Sequence, residues 1–184
     1  MIYPVVVYGN PVLRKEAEDF EQGEEDLEKL SNDMFETMYK ADGIGLAGPQ
    51  IGLSKRIFVI DADPLSEDVP ELEGFKKIFI NARIVERDGD VVTDQEGCLS
   101  LPGISEDVSR QSRVRIQYKD KDFEDHDEVF EGWAARIIQH EYDHIDGILF
   151  VDHLASLKKR LLKSRLNAIA KGKVDVKYKI KLPK

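Results

Sequence analysis

The stretch Gln139-His140-Glu141-Tyr142-Asp143-His144 decides both the fold and the chemistry predicted for this chain. Its two histidines are four positions apart, about one helical turn, so on a helix both imidazoles project from the same face. The helix is expected to begin near Glu131, and Gly147 stands where a C-terminal cap is needed. Two imidazoles on one face can hold a divalent metal, and the carboxylate of Glu141 can then serve as a general base.

A catalytic metal usually has three protein ligands, so the third ligand distinguishes the possible enzyme classes. A metzincin protease places a third histidine where this chain has Phe150, and a thermolysin-like protease needs a later glutamate, but none follows Glu141. The remaining candidates for the third ligand are an aspartate, another histidine and the single cysteine, which lies upstream. His126 lies in the acidic segment 121–128, which we interpret as a solvated turn, and we interpret His153 as the start of the next helix.

The single cysteine, Cys98, is the favoured third ligand. A lone cysteine is often a buried, unreactive hydrophobic residue, and this alternative stays open. The neighbouring residues favour an exposed loop end, because Gly97 permits close backbone approach and Pro102-Gly103 marks a turn. One thiolate, two imidazoles and an open position form a known catalytic set of metal ligands.

Composition restricts the class of protein. A chain of 184 residues with 41% hydrophobic residues can form one domain with a substantial core. It has no apolar run of membrane-spanning length, its first residues lack a signal-peptide pattern, and one cysteine excludes an internal disulfide, so we expect a cytoplasmic protein. The net charge of −9 argues against general binding to DNA or other nucleic acids.

The charge is unevenly distributed along the chain. Residues 152–184 contain 11 Lys and Arg against 2 Asp, a net charge of +9, whereas residues 1–151 contain 16 basic and 34 acidic residues, a net charge of −18. A basic segment attached to an acidic body suggests contact with a polyanion. A solvated helix face followed by a lysine-protected edge strand would give the same composition.

Hydrophobic periodicity predicts one α+β domain spanning residues 1–184, in which antiparallel or mixed sheets pack around the metal-binding helix. A turn is expected at Asp88-Gly89, and a basic helix with a short strand or tail is expected over 152–184. Strands are predicted at 5–8, 56–60, 77–85, 114–118 and 174–182. Helices are predicted at 24–40 and after residue 153, the latter with the apolar positions Leu154, Leu157, Leu161, Leu162, Leu166 and Ile169.

The glycine-rich stretch 43–52 is the second unusual segment. Gly43, Gly45 and Gly48 match the spacing of a dinucleotide-binding loop, but that motif needs a preceding strand and a following helix, and here the predicted order is reversed. Nucleotide binding is therefore not expected. The glycines leave the backbone open to an approaching peptide, and Gln50 supplies a neutral amide donor. A glycine-rich turn without a role is the alternative.

Three stretches together resemble the signature motifs of the peptide deformylase family, and their order and spacing fit over about residues 6–162. They are Gly43–Gln50, Glu96–Ser100 and Gln139–His144. The resemblance implies a metal-dependent hydrolase that removes the formyl group from the N-terminal formylmethionine of new polypeptides. It also implies one divalent metal ion, ferrous iron in the cell, with zinc, nickel or cobalt as alternatives in a preparation. The implied ligands are Cys98, His140 and His144.

The resemblance assigns further residues to the reaction. A water activated by the metal attacks the formyl carbon, and Glu141 takes its proton and passes it to the leaving amine. The Gln50 amide and the Leu99 N–H stabilise the tetrahedral oxyanion. Glu96 and Arg110 are expected to pair behind the ligands. Substrate contacts are expected from the backbone of Gly45 and from the side chains of Ile44, Trp133, Ile137 and His140, which line the methionine pocket.

Three residues depart from the family pattern. Gly48 stands where the family usually has alanine, which is expected to loosen the loop. Asp94 and Arg136 are polar at positions near the pocket that are often apolar, so the outline of the pocket is expected to differ.

Two further expectations concern partners and an alternative function. The basic C-terminal helix resembles that of family members whose helix docks on the ribosome near the exit of the nascent chain. The competing function is a metal-dependent endopeptidase of the His-Glu-x-x-His type, and the absence of the usual third ligands of such proteases counts against it.

Overall fold

Five consecutive strands separate the first α-helix from the other two in the computed structural model, which describes residues 1–184. In order they are β1 (Val5–Val6), α1 (Leu27–Lys40), β2 (Gly45–Ala47), β3 (Ile57–Asp61), β4 (Lys76–Gly97), β5 (Ser105–Lys119), β6 (Asp125–Glu131), α2 (Gly132–Ile145), α3 (Ser156–Ala170) and β7 (Ile180–Lys181). This composition of elements confirms the predicted α+β class. None of the three α-helices combines the length and the apolar composition that crossing a membrane requires.

Five of the strands form one antiparallel sheet in the order β2-β3-β4-β5-β6. The apolar run 57–60 explains β3, whose first four residues are fully buried. The longest pairing joins β4 to β5 and ends at Gly97 opposite Ser105. Residues 98–104 therefore close this hairpin, and Cys98 is the first residue after β4.

The helix α2 packs against this sheet and is buried along most of its length, with eleven of its fourteen residues inaccessible. Ala135, Ile138 and Ile145 are fully buried and join Phe58 and Phe79 in a core cluster of 17 residues. Burying one such isoleucine or phenylalanine side chain contributes about 1.5–3 kcal/mol. This packing fixes the rotation of α2 about its axis, so its histidines face the turn that follows β4.

The boundaries of α2 are those that the sequence predicts. Glu131 occupies the N-cap position, and the helix ends at Ile145. Gly147 adopts a φ of +75°, the left-handed conformation of a capping glycine. A Cβ atom at Gly147 would lie 2.7 Å from the carbonyl oxygen of Arg14, so the chain also passes closely at this point.

The C-terminal helix α3 is only partly amphipathic in the predicted sense. Leu162, Leu166 and Ile169 are buried in a second core cluster. Leu157 and Leu161, which the apolar pattern places on the same face, are 64% and 67% exposed. At 100° per residue these two positions point about 100° or more away from the buried stripe. The prediction of a single apolar face is therefore wrong for the first turns of α3.

Beyond α3, the alternating segment 174–182 forms less strand than predicted. Only Ile180–Lys181 pairs with another strand, in parallel with Val5–Val6. The alternation still describes the burial correctly, because residues 174, 176, 178 and 180 are half-buried and their odd-numbered neighbours are exposed. Side chains alternate along the segment, but most of it has no neighbouring strand with which to form hydrogen bonds.

Two other local predictions are wrong. Asp88-Gly89 is not a turn but lies within β4, where Gly89 has a φ of +79° and the register shifts between Asp88 and Val91. A β-bulge uses the same left-handed glycine as a tight turn, so the sequence signal is shared. Residues 121–128 were expected to form a solvated turn, but only their first half does so, and residues 125–128 belong to strand β6. His126 bonds to Asp120 at 2.7 Å and lies outside the cluster of Cys98, His140 and His144.

Candidate metal centre and active site

Cys98, His140 and His144 lie together where the turn after β4 meets α2. Their ligand atoms are all within 4.8 Å of one another, and Sγ of Cys98 is 3.4 Å from Nε2 of His144. One sulfur and two imidazole nitrogens at these separations form a donor set suited to zinc, iron and related divalent ions. Cys98 is half-buried rather than at an exposed loop end.

The ionisation of Cys98 also suits a metal ligand. Burial alone would raise the pKa of the thiol, but positive charge on His144 and hydrogen bonding with His140 lower it to about 5. Metals bind the thiolate rather than the thiol, so this cysteine is in its binding form at neutral pH. The residues present therefore fit a divalent metal ion.

Glu96 orients His140 from the side away from the cluster. Its Oε1 accepts a hydrogen bond from Nδ1 of His140 at 2.8 Å, which leaves Nε2 of that ring available to a metal. Arg110 donates to both carboxylate oxygens, from Nε at 2.6 Å and from Nη2 at 2.9 Å. Burial alone would raise the pKa of Glu96, but the hydrogen bonds from Arg110 and His140 lower it to about 2. Glu96 is thus a buried, charged carboxylate.

A second arginine, Arg136 on α2, binds the same carboxylate. Its Nη1 donates to Oε2 of Glu96 at 2.6 Å and to the carbonyl of Val108 at 3.0 Å, and its Nη2 donates to the carbonyl of Val92 at 2.7 Å. This role was not predicted. A charged residue on the buried face of α2 is the sequence signal that points to it, because buried arginines need acceptors.

Asp143 extends the network on the other side of Arg110. It accepts hydrogen bonds from Nη1 of Arg110 at 3.0 Å and from Nε2 of His153 at 2.8 Å. His153 is the last residue of a short 3-10 helix, Phe150–His153, and not the start of α3. Neither contact was predicted, because both depend on how the chain packs after α2. Arg110 therefore joins two buried carboxylates.

Glu141 has a buried carboxylate oxygen without a hydrogen-bond partner. The residue is only 5% exposed, and its buried Oε2 is unpaired. Burial raises the pKa of Glu141, although positive charge on His140 and His144 opposes the shift. A buried carboxyl group with a raised pKa and an unpaired oxygen fits a group that accepts a proton and returns it.

Two amide donors lie in the same cleft, one on the side chain of Gln50 and one on the backbone of Leu99. Gln50 is buried, and its Oε1 accepts a hydrogen bond from the N–H of Ala47 at 2.9 Å. This contact turns the amide NH₂ group towards Oγ of Ser100 at 3.2 Å and Sγ of Cys98 at 3.5 Å. The N–H of Leu99 has no acceptor within the protein. Both donors can stabilise negative charge that develops beside Cys98.

A cleft of about 650 Å³ opens over these groups, a volume large enough for one side chain and a short length of peptide. Arg136 also lines it, although its guanidinium is bound to Glu96. Asp94 does not line it, and instead borders a separate depression of about 90 Å³. The cleft is lined by all the side chains expected to contact substrate, namely Ile44, Trp133, Ile137 and His140, and by Gly45, Gln50, Cys98, Leu99 and Glu141.

Gly48 does not loosen its loop as expected. It is buried, and a Cβ atom there would lie 2.6 Å from the carbonyl oxygen of Lys55 and 3.0 Å from that of Leu53. The glycine lets two backbone segments approach each other closely, so its effect is tighter packing.

A thiolate and two imidazoles, a buried carboxylate beside them and amide donors at a peptide-sized cleft define the site of a metal-dependent hydrolase. The sequence profile described as "Polypeptide deformylase" matches residues 2–160. Peptide deformylases of Cytophaga hutchinsonii and Christiangramia forsetii are 52% and 50% identical to this chain, covering all of it and 98% and 97% of their own lengths. The solved structure of peptide deformylase from Thermus thermophilus matches with a TM-score of 0.83 at 40% identity, covering 94% of this chain and 99% of that chain.

The chain therefore belongs to the polypeptide deformylase family, as the three motifs predict. The matches with the bacterial relatives include the C-terminal segment, which the resemblance of motifs did not reach.

Proposed function

We propose that this protein hydrolyses the formyl group from the N-terminal formylmethionine of newly made polypeptides and releases formate. The observation that carries the proposal is the arrangement of Glu141 beside the Cys98, His140 and His144 cluster, inside a cleft of peptide size. Membership of the deformylase family supports the same reaction.

Cys98, His140 and His144 would hold one divalent metal ion. When bound, such an ion lowers the pKa of water and polarises a carbonyl group. The donor set suits both Fe²⁺ and Zn²⁺, and also Ni²⁺ or Co²⁺, so availability decides which ion is loaded; we propose Fe²⁺ in the cell. Glu96 supports the site by fixing the orientation of the His140 ring.

Glu141 is the proposed general base and acid. Its unpaired oxygen accepts the proton of the attacking water, and the same carboxyl group then protonates the leaving amine as the C–N bond breaks. The Gln50 amide and the Leu99 N–H stabilise the oxyanion that forms at the formyl carbon. Removing one such donor typically costs about 3 kcal/mol of transition-state stabilisation.

The methionine side chain is proposed to lie among Ile44, Trp133 and Ile137, which give the cleft an apolar side. β2 is an edge strand of the sheet, because it pairs only with β3. Its Gly45 lines the cleft, so an extended peptide can run alongside β2 and form backbone hydrogen bonds with it.

The experiment that tests this function measures formate release from a formylmethionyl tripeptide, with the metal content of the same anaerobic preparation. Glu141→Gln is compared with wild type. We expect rapid release by wild type, and a loss of about 100-fold or more in a variant that keeps its metal. Metal-loaded wild type that releases no formate but cleaves an unformylated protein internally would replace deformylation with the endopeptidase alternative.

We also propose that α3 contacts the ribosome, with the enzyme acting in the cytoplasm on emerging chains. Lys159, Arg160 and Lys163 are exposed on α3, and Leu157 and Leu161 are exposed beside them. Basic side chains next to apolar ones suit a surface of ribosomal RNA and protein.

Removing α3 is a poor test of ribosome binding, because Leu162, Leu166 and Ile169 belong to the core. Reversing the charge of Lys159, Arg160 and Lys163 to glutamate leaves the core intact. We expect this variant to lose co-sedimentation with ribosomes while its activity on a short peptide is retained. Unchanged co-sedimentation would end the proposal.

A further inference from the structure

The C-terminal segment 173–182 reaches the active site, although it follows the predicted catalytic motifs by about thirty residues. After α3 the chain returns across the molecule, and Val176 and Tyr178 line the same cleft as Cys98 and Leu99. The segment is then anchored where β7 pairs with β1. All three predicted catalytic motifs lie before this segment in the sequence.

Tyr178 makes one specific contact in the cleft. Its hydroxyl group donates a hydrogen bond to the carbonyl oxygen of Leu99 at 2.8 Å. Burial raises the pKa of Tyr178 to about 12, so the hydroxyl keeps its proton and remains a donor at any working pH. Tyr178 is half-buried, like the other even-numbered residues of the segment.

Tyr178 binds the central peptide group of the turn that follows β4, which the turn's own hydrogen bond does not involve. The N–H of Leu101 donates to the carbonyl of Cys98 at 3.0 Å, which defines a β-turn with Leu99 and Ser100 at its centre. This bond holds the first and last peptide groups. The central peptide group, which carries the carbonyl of Leu99, is free to rotate between turn types unless something else binds it.

The Leu101–Cys98 bond lies within the turn, so it keeps the shape of the turn but does not fix the turn relative to the rest of the molecule. The peptide group between Cys98 and Leu99 carries the N–H of Leu99, the proposed oxyanion donor, and it directly precedes the carbonyl that Tyr178 holds. Ser100 is held separately, because its carbonyl accepts a hydrogen bond from the N–H of Tyr8 at 2.9 Å. Tyr178 thus supplies the missing restraint on the turn.

We propose that Tyr178 is a positioning residue for deformylation, which keeps the N–H of Leu99 aimed into the cleft by holding the Leu99 carbonyl. The inference rests on the proposed function. Tyr178 does not need to touch the substrate for this role, and its effect is transmitted through Leu99 alone.

The test is Tyr178→Phe, which removes the hydroxyl group and keeps the ring. We expect kcat to fall about 10-fold with KM changed less than about 2-fold, a smaller loss than the roughly 100-fold or more expected when an oxyanion donor is removed outright. Metal content should equal that of wild type. Amide hydrogen exchange of the zinc-loaded protein should become faster at Leu99 and Ser100, and this second readout does not depend on activity.

Tyr118→Phe is the matched control. Its hydroxyl donates to Glu128 at 2.7 Å, so the variant also loses one tyrosine hydrogen bond, but Tyr118 does not line the cleft. We expect a comparable loss of thermal stability without the fall in kcat. If Tyr178→Phe instead changes only the melting temperature, or raises KM at constant kcat, the positioning role is refuted. Failure of the proposed function itself is distinguishable, because wild type would then release no formate.

Discussion

Replacing Gly45 with alanine should displace the carboxylate of Glu141, the proposed general base, without unfolding the protein. A Cβ atom at this position would lie 2.5 Å from Oε1, 2.8 Å from Cδ and 2.9 Å from Cγ of Glu141. Ordinary van der Waals contact begins at 3.4 Å, so the Glu141 oxygen must move by about 0.9 Å. The backbone accepts the change, because Gly45 is not among the residues with positive φ.

A displacement of this size has a predictable cost. Moving a catalytic group by about 1 Å typically lowers the rate about 100-fold, which corresponds to about 2.7 kcal/mol in the activation free energy. Stability should change little, because alanine reduces the entropy of the unfolded chain and offsets part of the strain. We therefore expect kcat for formate release to fall about 100-fold, with the metal content and the melting temperature close to those of wild type.

The assay is a double-mutant cycle with Glu141→Gln, using formate release and metal analysis on all four proteins. In the Glu141→Gln background the methyl group of alanine has no base left to displace, so the two losses should not multiply. Gly45→Ala activity within about threefold of wild type would refute the reasoning. Losses that multiply fully would also refute it, since they would show that alanine acts on something other than Glu141.

Three further predictions follow from contacts in the structure. Gly48→Ala forces a methyl group against the carbonyls of Lys55 and Leu53. It should therefore lower the free energy of unfolding by about 1–3 kcal/mol. Calorimetry that shows an unchanged melting temperature would contradict this expectation. Glu96→Gln removes the only charged partner of Arg136 and one of the two charged partners of Arg110. It should cost about 3–5 kcal/mol and speed metal loss to a chelator; urea unfolding that matches wild type would count against this. Chelation should abolish formate release and lower the melting temperature, because metal at 100 times its Kd stabilises by about 2.7 kcal/mol. Activity that survives complete metal removal would disprove a metal-dependent reaction.

The sequence brings most of the residues at the centre of the candidate site together because the information that places them is local. The spacing of His140 and His144 on one helix, the helix boundaries and the neighbouring Glu141 all follow from the helical repeat. Cys98 could be favoured but not placed, since its position depends on the pairing of β4 with β5. The roles of His140, Glu141 and His144 can be predicted from one short helical segment, whereas the position of Cys98 cannot.

The hydrogen-bond network around Glu96 is harder to predict from the sequence because it depends on tertiary packing. In the sequence, Arg136 is only an unexpected polar residue on α2. Its role becomes clear when β4 and β5 bring Glu96 and two backbone carbonyls to it. The β-bulge at Gly89 and a tight turn both use a glycine with positive φ, so the sequence does not distinguish them. Tyr178 is one position in an alternating segment, and only the path of the chain after α3 shows that its hydroxyl contacts Leu99.

The parallel pairing of β1 with β7 has a consequence for the order of folding and for local opening. It joins Val5 to Ile180, positions 175 residues apart, and closing a loop of that length costs about 4–5 kcal/mol in chain entropy. Only two residues of each strand are paired, so the pairing offsets little of this entropy cost. We therefore expect the C-terminal segment to dock after the rest of the domain has formed. The same segment should open first under mild denaturant, which would leave the proposed metal ligands in place while the turn at Leu99 loses its restraint.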